Sequence, residues 1–126
     1  GDLANGLGNL VARVAKLCED IELEAQEHPE TSSEFHPEVV RLLGEYKFNE
    51  AINFIWILIT SADRTINESQ PWTLQGNSKK EVLLDQVFRI GQIAFNLQPF
   101  LPETAEKILK QFSGKIKSAQ PLFPRI

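Results

Sequence analysis

Asn9 and Arg13 are side chains whose types and spacing could recognise a ligand. They lie in the segment NGLGNLVAR (5–13), four residues apart, so on a helix they are neighbours on one face. Asn presents a hydrogen-bond donor beside an acceptor, and Arg presents a rigid fork of donors. Together they can bind the edge of a nucleobase. The alternative is an exposed pair that bridges loops, and these two residues alone do not decide between the two.

Trp72 is a third candidate, because it directly follows Pro71 in the segment NESQPWTL. Since Pro71 ends the preceding helix, no helical neighbours cover the Trp72 ring. Exposed aromatic faces stack unpaired bases, at about 1–3 kcal/mol per base. The alternative is that Trp72 folds over the end of a helical bundle.

The other reactive side chains lack partners at useful spacings. No HExxH, Walker, GxGxxG or GxSxG motif is present. His28 and His36 are predicted to be exposed loop residues, and Cys18 a small core residue. The acidic residues between 19 and 34 match no calcium loop and are predicted to form a solvated face. Catalysis within this chain is therefore not predicted.

Length and charge limit the possible functions further. A chain of 126 residues is long enough for one domain with its own core. The net charge of −4 argues against general, sequence-independent nucleic-acid binding. The longest apolar run, AINFIWILI (51–59), is broken by Asn53 and is half of the roughly 18–20 residues that a membrane span needs. The single cysteine and the lack of a leader predict a cytoplasmic location, and the absence of Met suggests a piece of a larger protein.

Apolar periodicity predicts the elements that must position these residues. A first amphipathic helix has a seam at three- and four-residue steps, formed by Leu3, Leu7, Leu10, Val14, Leu17 and Ile21. Gly6 and Gly8 weaken that helix, and we expect them to leave room for a nearby loop or backbone. A short helix is predicted from 36 to 43, and the most apolar helix from Phe48 to about Ser69.

The second half of the chain is predicted to add two helices and a tail. After a polar turn, QGNSKK (75–80), a fourth helix carries the seam Leu83, Val87, Ile90, Ala94, Leu97 and Leu101. Pro99 and Pro102 break it, and Pro102 begins a last helix that reaches Phe112. An extended tail follows, whose Leu122, Phe123 and Ile126 can pack back. No strand pattern is visible, so the predicted fold is an all-α bundle of about five helices.

Four segments carry a family resemblance: DLANGLGNLVARV, FNEAINFIWILITSADRTINESQPWTL, LQPFLPETAEKIL and PLFPRI. In this order they resemble the anticodon-binding domain of methionyl-tRNA synthetases, which are class I enzymes. The resemblance implies that residues 1–126 are that domain, excised from the C-terminal part of a larger enzyme. It also implies that Asn9 and Arg13 hydrogen-bond anticodon bases. Trp72 would stack on the wobble cytosine of the CAU anticodon, with Pro71 holding the ring in place.

The chain departs from the family pattern at two positions. The family has Ala-Asn-x-Tyr before the PW motif, whereas this chain has Ala62-Asp63-Arg64-Thr65. A carboxylate therefore replaces a neutral amide at Asp63, where it would repel a phosphate. Thr65 likewise replaces a tyrosine, so contacts at these two positions are not carried over.

The resemblance also implies partners. The parent would be an ATP- and Mg-dependent methionine–tRNA ligase, but the HIGH-like and KMSKS-like motifs are absent here, so the fragment itself needs no cofactor. Its expected partners are the anticodon loop of methionine tRNA and the catalytic domain of the parent. No membrane partner is expected. The alternative function is a helical docking module that binds another protein and does not recognise RNA.

Overall fold

Five α-helices make up most of the molecule, in the order that apolar periodicity predicts. The structure is a computed structural model that describes residues 2–25, 35–112, 114–116 and 118. The helices are α1 (Asp2–Asp20), α2 (Pro37–Gly44), α3 (Phe48–Ser69), α4 (Gly76–Leu97) and α5 (Pro102–Gln111), with a 3₁₀ turn at Pro71–Thr73. The predicted all-α bundle is therefore confirmed. Among the described residues, no helix is long and apolar enough to cross a membrane.

The helix ends follow local chemistry in most places. Pro37 and Pro102 occupy the first positions of α2 and α5, where a missing N–H costs nothing. The Nδ1 atom of His36 accepts a hydrogen bond from the Glu38 backbone N–H at 3.1 Å, which caps α2. Helix α3 ends at Ser69 and is followed by Gln70, whose left-handed backbone (φ +46°) turns the chain towards Pro71.

The predicted polar turn at residues 75–80 is wrong, because α4 already begins at Gly76. The first turns of α4 carry polar and basic side chains that face solvent, apart from the half-buried Lys79. A helical segment with no apolar stripe gives no signal at the helical period. The other end of the predicted helix is also shorter, since α4 stops at Leu97 and Leu101 precedes α5.

Helix α3 packs against several other helices, as its apolar sequence predicts. It packs against α1, α2 and α4. Its buried side chains recur every three or four residues: Ala51, Ile55, Ile59, Ala62 and Ile66. The seam of α1 supplies Leu7, Leu10 and Val14 to the same core. This shared burial joins α1, which carries Asn9 and Arg13, to α3, which leads into the turn with Pro71 and Trp72.

A two-residue antiparallel pair, which the sequence did not predict, joins the segment after α1 to the segment after α5. Strand β1 (Glu24–Ala25) pairs with β2 (Gly114–Lys115), and the Ile116 N–H donates to the Leu23 carbonyl at 3.1 Å. Two residues are too short to show a period-two pattern. The predicted tail residues Leu122, Phe123 and Ile126, and the loop containing His28, lie outside the described residues.

Gly6 accommodates an aromatic ring of α3. A Cβ at Gly6 would lie 2.6 Å from Cζ3 and 2.9 Å from Cη2 of Trp56. The close neighbour is thus a side chain, whereas the sequence led us to expect a loop or backbone. Only a residue without Cβ lets α1 approach Trp56 so closely.

We expect Gly6→Ala to lower the free energy of unfolding by about 1–3 kcal/mol, because overpacking outweighs the helix propensity gained. Urea denaturation measures this change. Gly44→Ala is the matched control, since a Cβ there meets nothing within 4 Å. In a Trp56→Leu background, where the ring is removed, Gly6→Ala should cost less than it does in the wild type. An increase in stability for Gly6→Ala would show that the contact is not tight.

Cys18 is a core residue, as predicted, and its thiol is fully buried. Burial disfavours the thiolate and raises the pKa of Cys18 to about 12.

We therefore expect a thiol reagent such as DTNB to react with Cys18 only slowly in the native protein at pH 8, and rapidly in denaturant. Fast native reaction would contradict the burial. Because the pKa of the buried thiol exceeds the ordinary value of 9.0, the unfolded state loses its thiol proton first, and stability should fall as the pH rises from 9 towards 12.

Candidate nucleic-acid interface

Arg13 lies where α1 meets the C-terminal half of α3. Its Nη2 donates a hydrogen bond to Oδ1 of Asn67 at 2.8 Å. Its Nη1 lies 3.6 Å from Oδ1 of Asp63, within ion-pair distance. Asn67 Nδ2 reaches Asp63 Oδ2 at 3.5 Å, at the long limit for a hydrogen bond. The three side chains form one group, which we call the Arg13 cluster.

The register between α1 and α3 brings the Arg13 cluster together. Gly6 faces Trp56, and Arg13 faces Asp63. Seven residues separate the two contact points on each helix, so the helices run in the same direction and advance equally. Asp63 and Asn67 are four residues apart and share one face of α3. Both therefore reach the same guanidinium.

Trp72 is held beside this cluster by the 3₁₀ turn. Pro71 is buried, while Trp72 remains 45% exposed. The turn is closed by the Thr73 N–H, which donates to the Gln70 carbonyl at 2.9 Å, and by the Leu74 N–H, which donates to the Pro71 carbonyl at 3.1 Å. Together these contacts fix the backbone on both sides of the indole.

The guanidinium of Arg13 lies over the indole of Trp72, with Cζ 5.0 Å from the ring centroid. This distance is within the range for a cation–π interaction. Residues that are 59 positions apart in the sequence therefore form one partly exposed surface. It combines an aromatic ring for stacking with hydrogen-bonding groups beside it.

The charges in the Arg13 cluster balance each other. One guanidinium faces one carboxylate, and the two side chains are 37% and 49% exposed. An ion pair exposed to this extent contributes on the order of 0–1 kcal/mol to stability. The cluster therefore adds little to the stability of the fold.

The structure brings together three of the four residues that the sequence predicts to bind a ligand. Arg13, Pro71 and Trp72 come together at this end of the bundle. Asn9 is exposed one helical turn before Arg13 and is not part of the Arg13 cluster. The binding role of all four residues stays a prediction.

Asn67 was missed in the sequence, and Asp63 was noted only as a departure from the family pattern. Asn67 lies one helical turn after Asp63 on α3, which is the sequence signal that could have suggested a shared partner. Thr65, the other departure, donates its hydroxyl to the Ser61 carbonyl at 2.9 Å and so bonds within its own helix.

Curated relatives identify the kind of protein that the chain resembles. It is 33% identical to the methionine–tRNA ligase of Listeria monocytogenes and 32% identical to that of Clostridium acetobutylicum. Each match covers 99% of this chain and 25% of the relative. The ligase of Enterococcus faecalis is 32% identical over 87% of the chain and 19% of its own length.

No protein-family model matches the chain. No solved structure matches it either. The chain spans about a quarter of the length of these curated relatives. Nearly all of it is nonetheless similar to them, so the resemblance inferred from the sequence segments is confirmed: the chain is a relative of the methionyl-tRNA synthetases.

Proposed function

We propose that this chain is the tRNA-recognition module of a methionyl-tRNA synthetase and binds the CAU anticodon. One observation carries the proposal. Trp72 is nearly half exposed at the end of the bundle, and the Arg13 guanidinium lies against its ring. The similarity to methionine–tRNA ligases then suggests which RNA would be bound.

Trp72 would stack on the wobble cytosine. An unpaired base offers a flat face, and an indole ring provides the largest matching surface among side chains. Because the buried Pro71 and the 3₁₀ turn hold the backbone, little conformational freedom of the main chain is lost on binding. The polar edges of Arg13 and Asn9 would then hydrogen-bond neighbouring anticodon bases.

A small, directed site also reconciles RNA binding with an acidic chain. Lys79 and Lys80 lie in the first turns of α4, which packs against the 3₁₀ turn. Within the described part of the chain, neither forms an ion pair with an acidic side chain. Cations at a helix N-terminus oppose the helix dipole, so they do not serve helix stability. They would attract phosphates near Trp72.

The parent enzyme would supply the chemistry of the reaction. As a methionine–tRNA ligase it would use ATP and Mg, and its catalytic domain would be the second partner of this module. Cytoplasmic location follows from the same proposal. The module would contribute the choice of tRNA, and the separate catalytic domain would attach methionine to it.

A docking function has one observation in its favour. Exposed apolar side chains gather where α2 leads into α3, among them Val40, Tyr46 and Phe48, and Tyr46 is 81% exposed. This corner precedes α3, whereas Trp72 follows it, and α3 is about 33 Å long at 1.5 Å per residue. A protein partner at the corner would leave the Trp72 surface free.

We expect the wild-type protein to prefer an anticodon stem-loop with CAU over the same hairpin with another anticodon. Trp72→Ala should weaken cognate binding by about 1–3 kcal/mol, or roughly 5- to 150-fold, because a stacked base is lost. The dependence on salt should change little, since no phosphate contact is removed. Fluorescence anisotropy with labelled hairpins at two salt concentrations measures both quantities.

Tyr46→Ala is the matched control, because it removes an exposed aromatic ring at the other end of α3. It should leave both affinities unchanged. Equal losses for the two variants would indicate nonspecific aromatic binding. If the wild type binds both hairpins equally, recognition by this chain unaided is disproved.

A further inference from the structure

We propose that Asp63 is a specificity-determining residue that acts by positioning and neutralising Arg13. This inference rests on the proposed function, because it concerns how the same surface separates base contacts from phosphate contacts. In this proposal Asp63 itself does not contact the RNA. It acts through the guanidinium with which it is paired.

The geometry supports a positioning role. Arg13 is held from two sides, by the hydrogen bond to Asn67 at 2.8 Å and by the Asp63 carboxylate at 3.6 Å. Both partners lie on α3, so the long arginine side chain is restrained against the rigid helix that leads to Trp72. With its Cζ 5.0 Å from the ring centroid, the guanidinium stays beside the stacking surface.

The charge of Asp63 supports a role in specificity. An unpaired arginine binds the phosphate of any RNA sequence, and each phosphate neutralised steepens the dependence of affinity on salt. The Asp63 carboxylate already faces Nη1 of Arg13 and would repel an incoming phosphate. A neutral base edge meets no such repulsion. Arg13 is thereby left as a hydrogen-bond donor to bases and is a poor site for the backbone.

Asparagine would not do the same. An Asn side chain has nearly the shape of Asp and can still accept a hydrogen bond, but it carries no charge. Asp63→Asn therefore isolates the charge from the packing. Because the pair is exposed and adds little to stability, the variant should fold normally.

The test uses Asp63→Asn with the CAU hairpin and a hairpin with another anticodon, each titrated at several salt concentrations. We expect Asp63→Asn to lower the preference for CAU, measured as the ratio of the cognate to the noncognate affinity, by about twofold to fivefold. This is the range for the loss of an exposed ion pair. The slope of log K against log salt should steepen by about 0.7–0.9, the value for one added phosphate. Urea denaturation of each variant verifies folding.

Two controls separate Asp63 from general electrostatics. Glu68→Gln removes another exposed acid from the same end of α3. Among the described residues, Glu68 forms no ion pair with Arg13. It should leave the ratio of the two affinities unchanged. In an Arg13→Gln background, Asp63→Asn should no longer steepen the salt dependence, because the neutralised charge is gone.

The outcomes distinguish the two proposals. If the wild type prefers CAU but Asp63→Asn changes neither the ratio nor the slope, the role of Asp63 is refuted while the proposed function stands. Equal effects of Asp63→Asn and Glu68→Gln refute it as well. If the wild type shows no preference for CAU, the proposed function fails and this inference fails with it.

Discussion

The close packing of α1 on α3 at Gly6 is the constraint on which the candidate site depends. Because a Cβ at Gly6 would lie 2.6 Å from the Trp56 ring, the two helices approach at a point where only glycine fits. From there, seven residues along each helix lead to the contact between Arg13 and Asp63. A glycine that weakens helix propensity thus allows the two helices to pack closely one heptad before the site.

The end of α3 supplies the second half of the site. A non-glycine residue with positive φ, Gln70, redirects the chain, and the buried Pro71 anchors the next turn. The left-handed conformation is unfavourable for a side chain with Cβ. It is maintained because the surrounding turn hydrogen bonds and the burial of Pro71 require it. As a result, Trp72 is presented to solvent at the same level as Arg13.

The proposed RNA binding is compatible with an acidic chain because it would rely on few, accurately placed groups. Affinity from phosphates alone would need many cations, and the net charge of −4 opposes this. Stacking and hydrogen bonding to bases need few groups, placed accurately. The balanced Arg13 cluster fits the second strategy, because its guanidinium is restrained and its charge is largely offset by Asp63. Such a surface sacrifices general affinity for selectivity.

The sequence by itself determined the helices whose signals are local: the apolar steps of α1 and α3, and the prolines that begin α2 and α5. It also predicted Asn9, Arg13, Pro71 and Trp72 as binding residues, through residue types and family resemblance, and the structure brings the last three together. It missed the polar first turns of α4 and the β pair, since neither has a periodic apolar pattern. Only the tertiary structure joined Arg13 to Asn67, 54 residues away. That contact depends on the register of two packed helices, which no local pattern encodes.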